Sequence, residues 1–236
     1  MKKIGIIFAM EEEINSMLKY IEIENSYNIF NLKFYEGTIN NTKVILTTSG
    51  VGKVNSARST QILIDNMKVD LIINVGVAGG ITNTLDVCDI VIASKLVQHD
   101  FDITAFNHEK GYIPDIGVYI DSDLYLFNIA NEVKNELKDI DYNIHKGVIA
   151  SGDIFCTSNI MTDKINKKFN ALCVEMEGAS IAQVCYLSHV PFIVIRSISD
   201  VPNGNNKITY EEFLDKSSNN VSNFVYKMIE KISYEK

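Results

Sequence analysis

Arginine is nearly missing from this chain. Only Arg58 and Arg196 occur among 236 residues, and tight bidentate clamping of phosphate is the task for which arginine is preferred. Basic residues as a whole are outnumbered, 22 to 30, for a net charge of -8. Nucleic acid and anionic membranes both reward a basic face, so neither is expected as a partner. The cysteines (Cys88, Cys156, Cys173, Cys185) form no C-x-x-C pair, and the histidines (His99, His108, His145, His189) have no metal-ligand spacing. Three of the cysteines lie in apolar runs, which reads as small buried thiols in a reducing compartment. No apolar stretch is long enough to span a bilayer. The N-terminal apolar run over 4–10 meets Glu11-Glu12-Glu13 where a signal peptide would carry a cleavage site. A cytoplasmic location is expected. Linkers, repeats and low-complexity tracts are also missing, which leaves one domain over 1–236.

Hydrophobic residues make up 46% of the chain, enough for a sizeable core. Apolar and β-branched runs predict strands over 2–9, 33–39, 43–48, 70–77, 88–98, 143–150, 171–177 and 192–196. Helical spacing predicts helices over about 10–22, 122–138, 159–168 and 178–189, and one from the glycine turn at 49–55 to about 67. A long amphipathic C-terminal helix opens on the capping box Thr209-Tyr210-Glu211-Glu212. Strands alternating with helices give an α/β fold, a mixed central sheet between helical layers.

The stretch Val174-Glu175-Met176-Glu177-Gly178 is the focus. It places two carboxylates where a strand opens onto a helix, the place where ligands of α/β folds collect. Glu13, in the first turn of the first helix, is the glutamate of its trio aimed toward the same sheet edge, and Asp200 ends the last strand. Glycine or an aromatic stands at two further element ends, Gly79 and Phe155. Two tempting motifs fail. Ser49-Gly50-Val51-Gly52-Lys53-Val54 has Thr47 and Val54 where a Walker loop needs glycine and serine or threonine, and Gly76-Val77-Ala78-Gly79-Gly80 is not a dinucleotide fingerprint. His99-Asp100 reads as a structural hydrogen bond. Separated carboxylates without a metal suit cleavage of a glycosidic bond through a cation-like sugar.

Seven blocks in order extend this reading: 4–13, 49–53, 76–80, 99–102, 151–153, 174–179 and 196–200. Together they resemble the bacterial 5′-methylthioadenosine/S-adenosylhomocysteine nucleosidases of the nucleoside phosphorylase superfamily. The resemblance implies a three-layer α/β/α fold, no cofactor, a small adenine nucleoside as substrate and a homodimer. It implies irreversible hydrolysis, with Glu13 activating water and Asp200 delivering a proton to adenine N7. Met176 and Glu177 match ribose contacts, with Glu175 and Met10 beside them. Phe155 matches the ring stacked on adenine, and Cys156, Ala78 and Gly79 border the same site. Arg196 matches a residue supporting the water and Glu13, and Tyr210 an aromatic near the 5′ substituent. Ile103, Phe106 and Pro114 match residues donated by a partner subunit, which would cover a loop rich in apolar residues (Phe101, Phe106, Tyr112, Ile113). Val77 stands where the family often has serine, Cys156 where it has an aliphatic residue, and His108 where an aromatic is common. Chemistry of this kind requires an ionised Glu13, and at Asp200 either a pKa raised by burial or a proton shared with the purine. The rival readings are a phosphorylase or futalosine-type nucleosidase of the same superfamily, and a purine-binding protein without turnover.

Overall fold

The structure, a computed structural model, describes residues 2–138, 140–201 and 210–234. Strands β1 (Lys3–Phe8), β2 (Glu22–Ile29), β3 (Leu32–Ile39), β4 (Thr42–Thr48), β5 (Leu71–Gly80), β6 (Ile90–Gln98), β7 (Ile120–Asp121), β8 (Ile144–Ser151), β9 (Ala171–Glu175) and β10 (Phe192–Asp200) form one mixed sheet. Helices α1 (Glu11–Leu18), α2 (Lys53–Asp65), α3 (Leu124–Glu136), α4 (Asn159–Phe169), α5 (Gly178–Leu187) and α6 (Tyr210–Tyr234) connect and cover it.

The side-chain period of two divides the core. Ile4, Ile6 and Phe8 of β1, with Ile73, Val75, Ile193 and Ile195, face the layer of α1, α3 and α6. Ile7, Ile45, Ile72 and Val194 face the opposite layer of α2 and α5. Both faces of the central strands are thus covered, as their near-continuous apolar sequences require. This is the three-layer α/β/α arrangement expected. Among the described residues no helix is long and apolar enough to cross a membrane.

β5 organises the topology. β10 pairs along one edge from Ile72 to Gly79, so the other edge is shared. β1 takes it over Leu71–Asn74 in parallel, and β9 takes it only at Gly79 and Gly80, antiparallel. Between them the strands fork. Beyond the fork, β5, β10, β6, β8 and β9 pair in turn and close into a ring. A change of strand partner is where a sheet leaves a crevice for a ligand.

Several expectations change. The first helix ends at Leu18, and residues 22–29, of which 23–29 are unassigned from the sequence, form β2 at the sheet margin. β2 is exposed at nearly every position, so it carries none of the alternation that reveals a half-buried strand. β7 is two residues long and pairs only with β6. The loop after β6 covers more of itself than expected. Ile113 is buried, Phe101 and Tyr112 are half-buried, and the Tyr112 ring stacks on His108 at 4.5 Å. Phe106 alone of the four is strongly exposed, at 76%. The capping box at Thr209 lies outside the described residues.

Candidate active site

Glu13 fills the fork. It is the third residue of α1, and its Oε2 accepts from the N–H groups of Ala9 and Met10 at 2.8 and 3.0 Å. Its Oε1 accepts from Val77 N–H at 3.0 Å, a group on the edge of β5 between the β1 and β9 pairings. Gly76 makes this approach possible, since a Cβ there would lie 2.7 Å from Glu13 Oε1. Burial pushes the Glu13 carboxyl above its ordinary value, opposed by the charge of Arg196 and by the three N–H groups.

Two more carboxylates come from the β9–α5 junction. Glu175 Oε2 accepts from the N–H groups of Glu177 and Gly178 at 3.1 and 2.7 Å, and Ser151 Oγ accepts from Ala179 N–H at 2.7 Å. The Ser151 hydroxyl in turn donates to Glu175 Oε1. These bonds satisfy the orphan donors at the start of α5. Glu177 points away from its own helix and accepts from Gly52 N–H at 2.8 Å, at the start of α2. The three carboxylates therefore sit at the N-termini of α1, α5 and α2, where helix dipoles favour negative charge.

One buried cation serves all three. Arg196, on β10, donates through Nη2 to Glu175 and to Asn74 Oδ1, and the same nitrogen lies 4.0 Å from Glu177 Oε2. Asn74 is fixed by its donation to the Ile7 carbonyl at 3.0 Å. Three buried acids around one guanidinium carry an excess of negative charge. Burial first, and then the Glu175 charge, push the Glu177 carboxyl up to about 7, against Arg196 and Gly52 N–H.

Asp200 closes the opposite wall. Its Oδ1 accepts from the Ser199 hydroxyl at 2.8 Å, and its Oδ2 lies 3.3 Å from where a Gly79 Cβ would stand. Between these walls lies a cleft of about 250 Å³. Glu13, Glu177 and Asp200 all line it, with Phe155 and Cys156 from the loop after β8 and Met10 and Met176 at the remaining sides. The lining is mainly apolar with a few convergent acids, the usual make-up of a small-molecule site.

Comparison with known proteins accords with this arrangement. The phosphorylase superfamily pattern matches residues 3–230. The 5′-methylthioadenosine/S-adenosylhomocysteine nucleosidase of Geobacillus sp. strain WCH70 is 40% identical over 228 residues, 96% of this chain and 97% of that protein. The chain belongs to this nucleosidase family. The crystal structure of the Helicobacter pylori nucleosidase with butyl-thio-DADMe-Immucillin-A superimposes with a TM-score of 0.92 at 36% identity, covering 98% of this chain and 99% of that one. A native futalosine hydrolase from the same organism gives 0.91 at 36% identity, covering 98% of each chain.

Most of the family-matched residues converge. Glu13, Glu175, Glu177, Asp200, Met10, Met176, Ala78, Gly79, Phe155 and Cys156 line the cleft. Arg196 stands behind the carboxylates, 2% exposed, and acts on Glu13 through its charge, while its direct bonds go to Glu175, Asn74 and the Ile195 carbonyl. Glu175 spends its oxygens on protein donors, as a brace for α5 and Arg196. The carboxylate environments differ as well. Glu13, expected to be held ionised, is pushed up by burial, whereas Asp200 is only half-buried in this chain. Ile103, Phe106 and Pro114 lie outside the cleft of their own chain. Tyr210 opens α6, and its side chain lies outside the described residues. Sequence reasoning missed Ser151, Asn74 and the Gly52 N–H. Ser151 stood in a quoted motif, but nothing in the spacing tied it to Glu175, 24 residues on.

Proposed function

We propose that this nucleosidase-family chain hydrolyses the N-glycosidic bond of 5′-methylthioadenosine and S-adenosylhomocysteine, and of 5′-deoxyadenosine, releasing adenine and a 5-substituted ribose. The observation that carries the reading is the meeting of Glu13, Glu177 and Asp200, from three distant element ends, around one cleft with Phe155 on its wall. Phe155 stacks on the purine and Glu177 accepts from the ribose hydroxyls. Glu13 takes a proton from water as the water oxygen bonds to C1′. As the C1′–N9 bond breaks, Asp200 gives its proton to adenine N7, so the base leaves neutral. A Glu13 carboxyl raised by burial is a better base than an ordinary one, because catalytic pKa values work best near the operating pH.

Water rather than phosphate is the nucleophile. Arg58 is exposed and donates to the Phe30 carbonyl on the sheet's outer hairpin, and Arg196 is taken up by Glu175 and Asn74. Neither arginine is left to clamp an anion, and Glu13 would repel one. The assay is adenine release from methylthioadenosine in phosphate-free buffer. Release without phosphate is expected; strict dependence on phosphate overturns the reading, and binding without turnover replaces it with a purine-binding role. The likeness to the futalosine hydrolase makes futalosine the second substrate to include. Asp200→Asn is expected to lower kcat by about 10²–10⁴-fold, and near-normal turnover would remove its acid role.

Ile103, Phe106 and Pro114 belong in this reading to the partner's cleft, in a homodimer that covers Phe106. The chain folds as one domain over 1–236. The free cysteines, three of them buried, suit a reducing cytoplasm.

A further inference from the structure

Helix α2 begins without a cap of its own. Its N-cap position is Gly52, at φ +99°, and its first turn holds no acid. Two of the donors at its start are nevertheless taken. Gly52 N–H goes to Glu177 Oε1 and Lys53 N–H to Asp153 Oδ1, both at 2.8 Å, from residues 125 and 100 positions later. Lys53 is a cation at the positive end of a helix, where the dipole disfavours it. Its Nζ folds onto Asp100 Oδ1 at 2.8 Å and Gln98 Oε1 at 3.1 Å. Asp100 Oδ2 then accepts from Asp153 N–H at 3.0 Å. The circuit Lys53–Asp100–Asp153 is closed, with the Lys53 and Asp100 side chains 18% and 17% exposed. It joins the glycine turn, the His99-Asp100 pair and the Ser151-Gly152-Asp153 turn, three sequence blocks with no task in the bond-breaking step.

Two corners of the circuit, at Lys53 and Asp153, adjoin walls of the cleft. Gly52 holds Glu177, and Val51 beside it lines the cleft. Asp153 directly precedes Ile154, Phe155 and Cys156, which form the aromatic wall. Gly52 leaves little room for change, since a Cβ there would lie 3.1 Å from Asp153 Oδ1 on a backbone that L residues rarely adopt. We propose that Lys53, Asp100 and Asp153 form a positioning clamp that holds the carboxylate Glu177 in register with the aromatic wall at Phe155. This rests on the reading of Glu177 as the group that binds the ribose. None of the three residues touches the reacting atoms; each acts through the backbone it fixes.

The test combines Lys53→Met and Glu177→Gln, singly and together, in the full chain. With methylthioadenosine, Lys53→Met is expected to raise KM about tenfold while kcat changes by less than about threefold, because it loosens a group that contacts ribose in the ground state. In the Glu177→Gln background the same change is expected to add less than about twofold, as members of one network do not act independently. A stability role alone would lower the melting temperature and leave KM in place. Penalties that multiply in the double variant, or an unchanged KM, overturn the proposal. Amide hydrogen exchange on the same proteins keeps the clamp testable apart from activity. Lys53→Met is expected to speed exchange in peptides spanning 50–53 and 153–156, with the β5 core unchanged. If the unsubstituted protein releases no adenine, the functional reading fails, and unaltered exchange in those two peptides is what would remove the clamp.

Discussion

Glu177 shows most directly how burial and charge act on one side chain. Its carboxyl is pushed from an ordinary 4.5 to about 7 by burial and by Glu175. The folded chain therefore binds a proton there that the unfolded chain releases over the same interval. Stability falls with rising pH wherever the native state holds more protons. Unfolding temperature is thus expected to decline as pH rises from about 4.5 to about 7 in the ligand-free protein, and Glu177→Gln is expected to flatten that decline. Thermal scans across this range check it, and a slope unaltered by the substitution would locate the proton elsewhere. Glu13, pushed up by burial as well, adds to the slope with the same sign. At this scale the acids themselves were legible in the sequence, because each stands at an element end. Their pairing was not. That Arg196 bonds Glu175 and Asn74 depends on β10 lying against β5 in one register, Val194 beside Asn74, which spacing along the chain does not encode.

At the scale of elements, the fork in β5 decides where the chemistry sits. β1 leaves the strand at Asn74 and β9 joins it at Gly79, so Val77 N–H is free to bind Glu13. Gly76→Ala places a methyl group 2.7 Å from Glu13 Oε1, at a carboxylate held by three backbone donors. Displacing this carboxylate, the proposed base, is expected to cost about 10²-fold or more in kcat, with far-UV circular dichroism unchanged. Retention of full activity would show that Glu13 can shift without loss. Buried strands and amphipathic helices were readable here from their periods of two and 3.6. β2 was not, since a strand exposed on both faces has no hydrophobic signature, and its place comes from pairing with β3 alone.

At the scale of the whole molecule, the cleft of one chain is open on the side where Phe155 stands 65% exposed, and Phe106 stands 76% exposed on another loop. Large aromatics left to water in this way point to a covering surface. Phe106→Glu is expected to weaken the proposed self-association and lower kcat/KM for methylthioadenosine, with the melting temperature of the isolated chain little changed because the side chain is mostly exposed there. Sedimentation and kinetics over a dilution series check this together. A variant that self-associates as the unsubstituted protein does and stays fully active would remove Phe106 from the proposed partner cleft.

The order of hydrophobic and polar residues along this chain was enough to specify its layers, because burial of a strand face or helix stripe is a local periodic demand. The same local reading located the acids at element ends and, through the lack of arginine, weighed against phosphate. Tertiary structure alone decided which donors those acids meet. Glu177 is held by Gly52, Glu175 by Ser151 and Arg196, and Lys53 by Asp100. Those partners are separated by 21 to 125 residues, and only the sheet's pairing order brings such distant groups within hydrogen-bond reach.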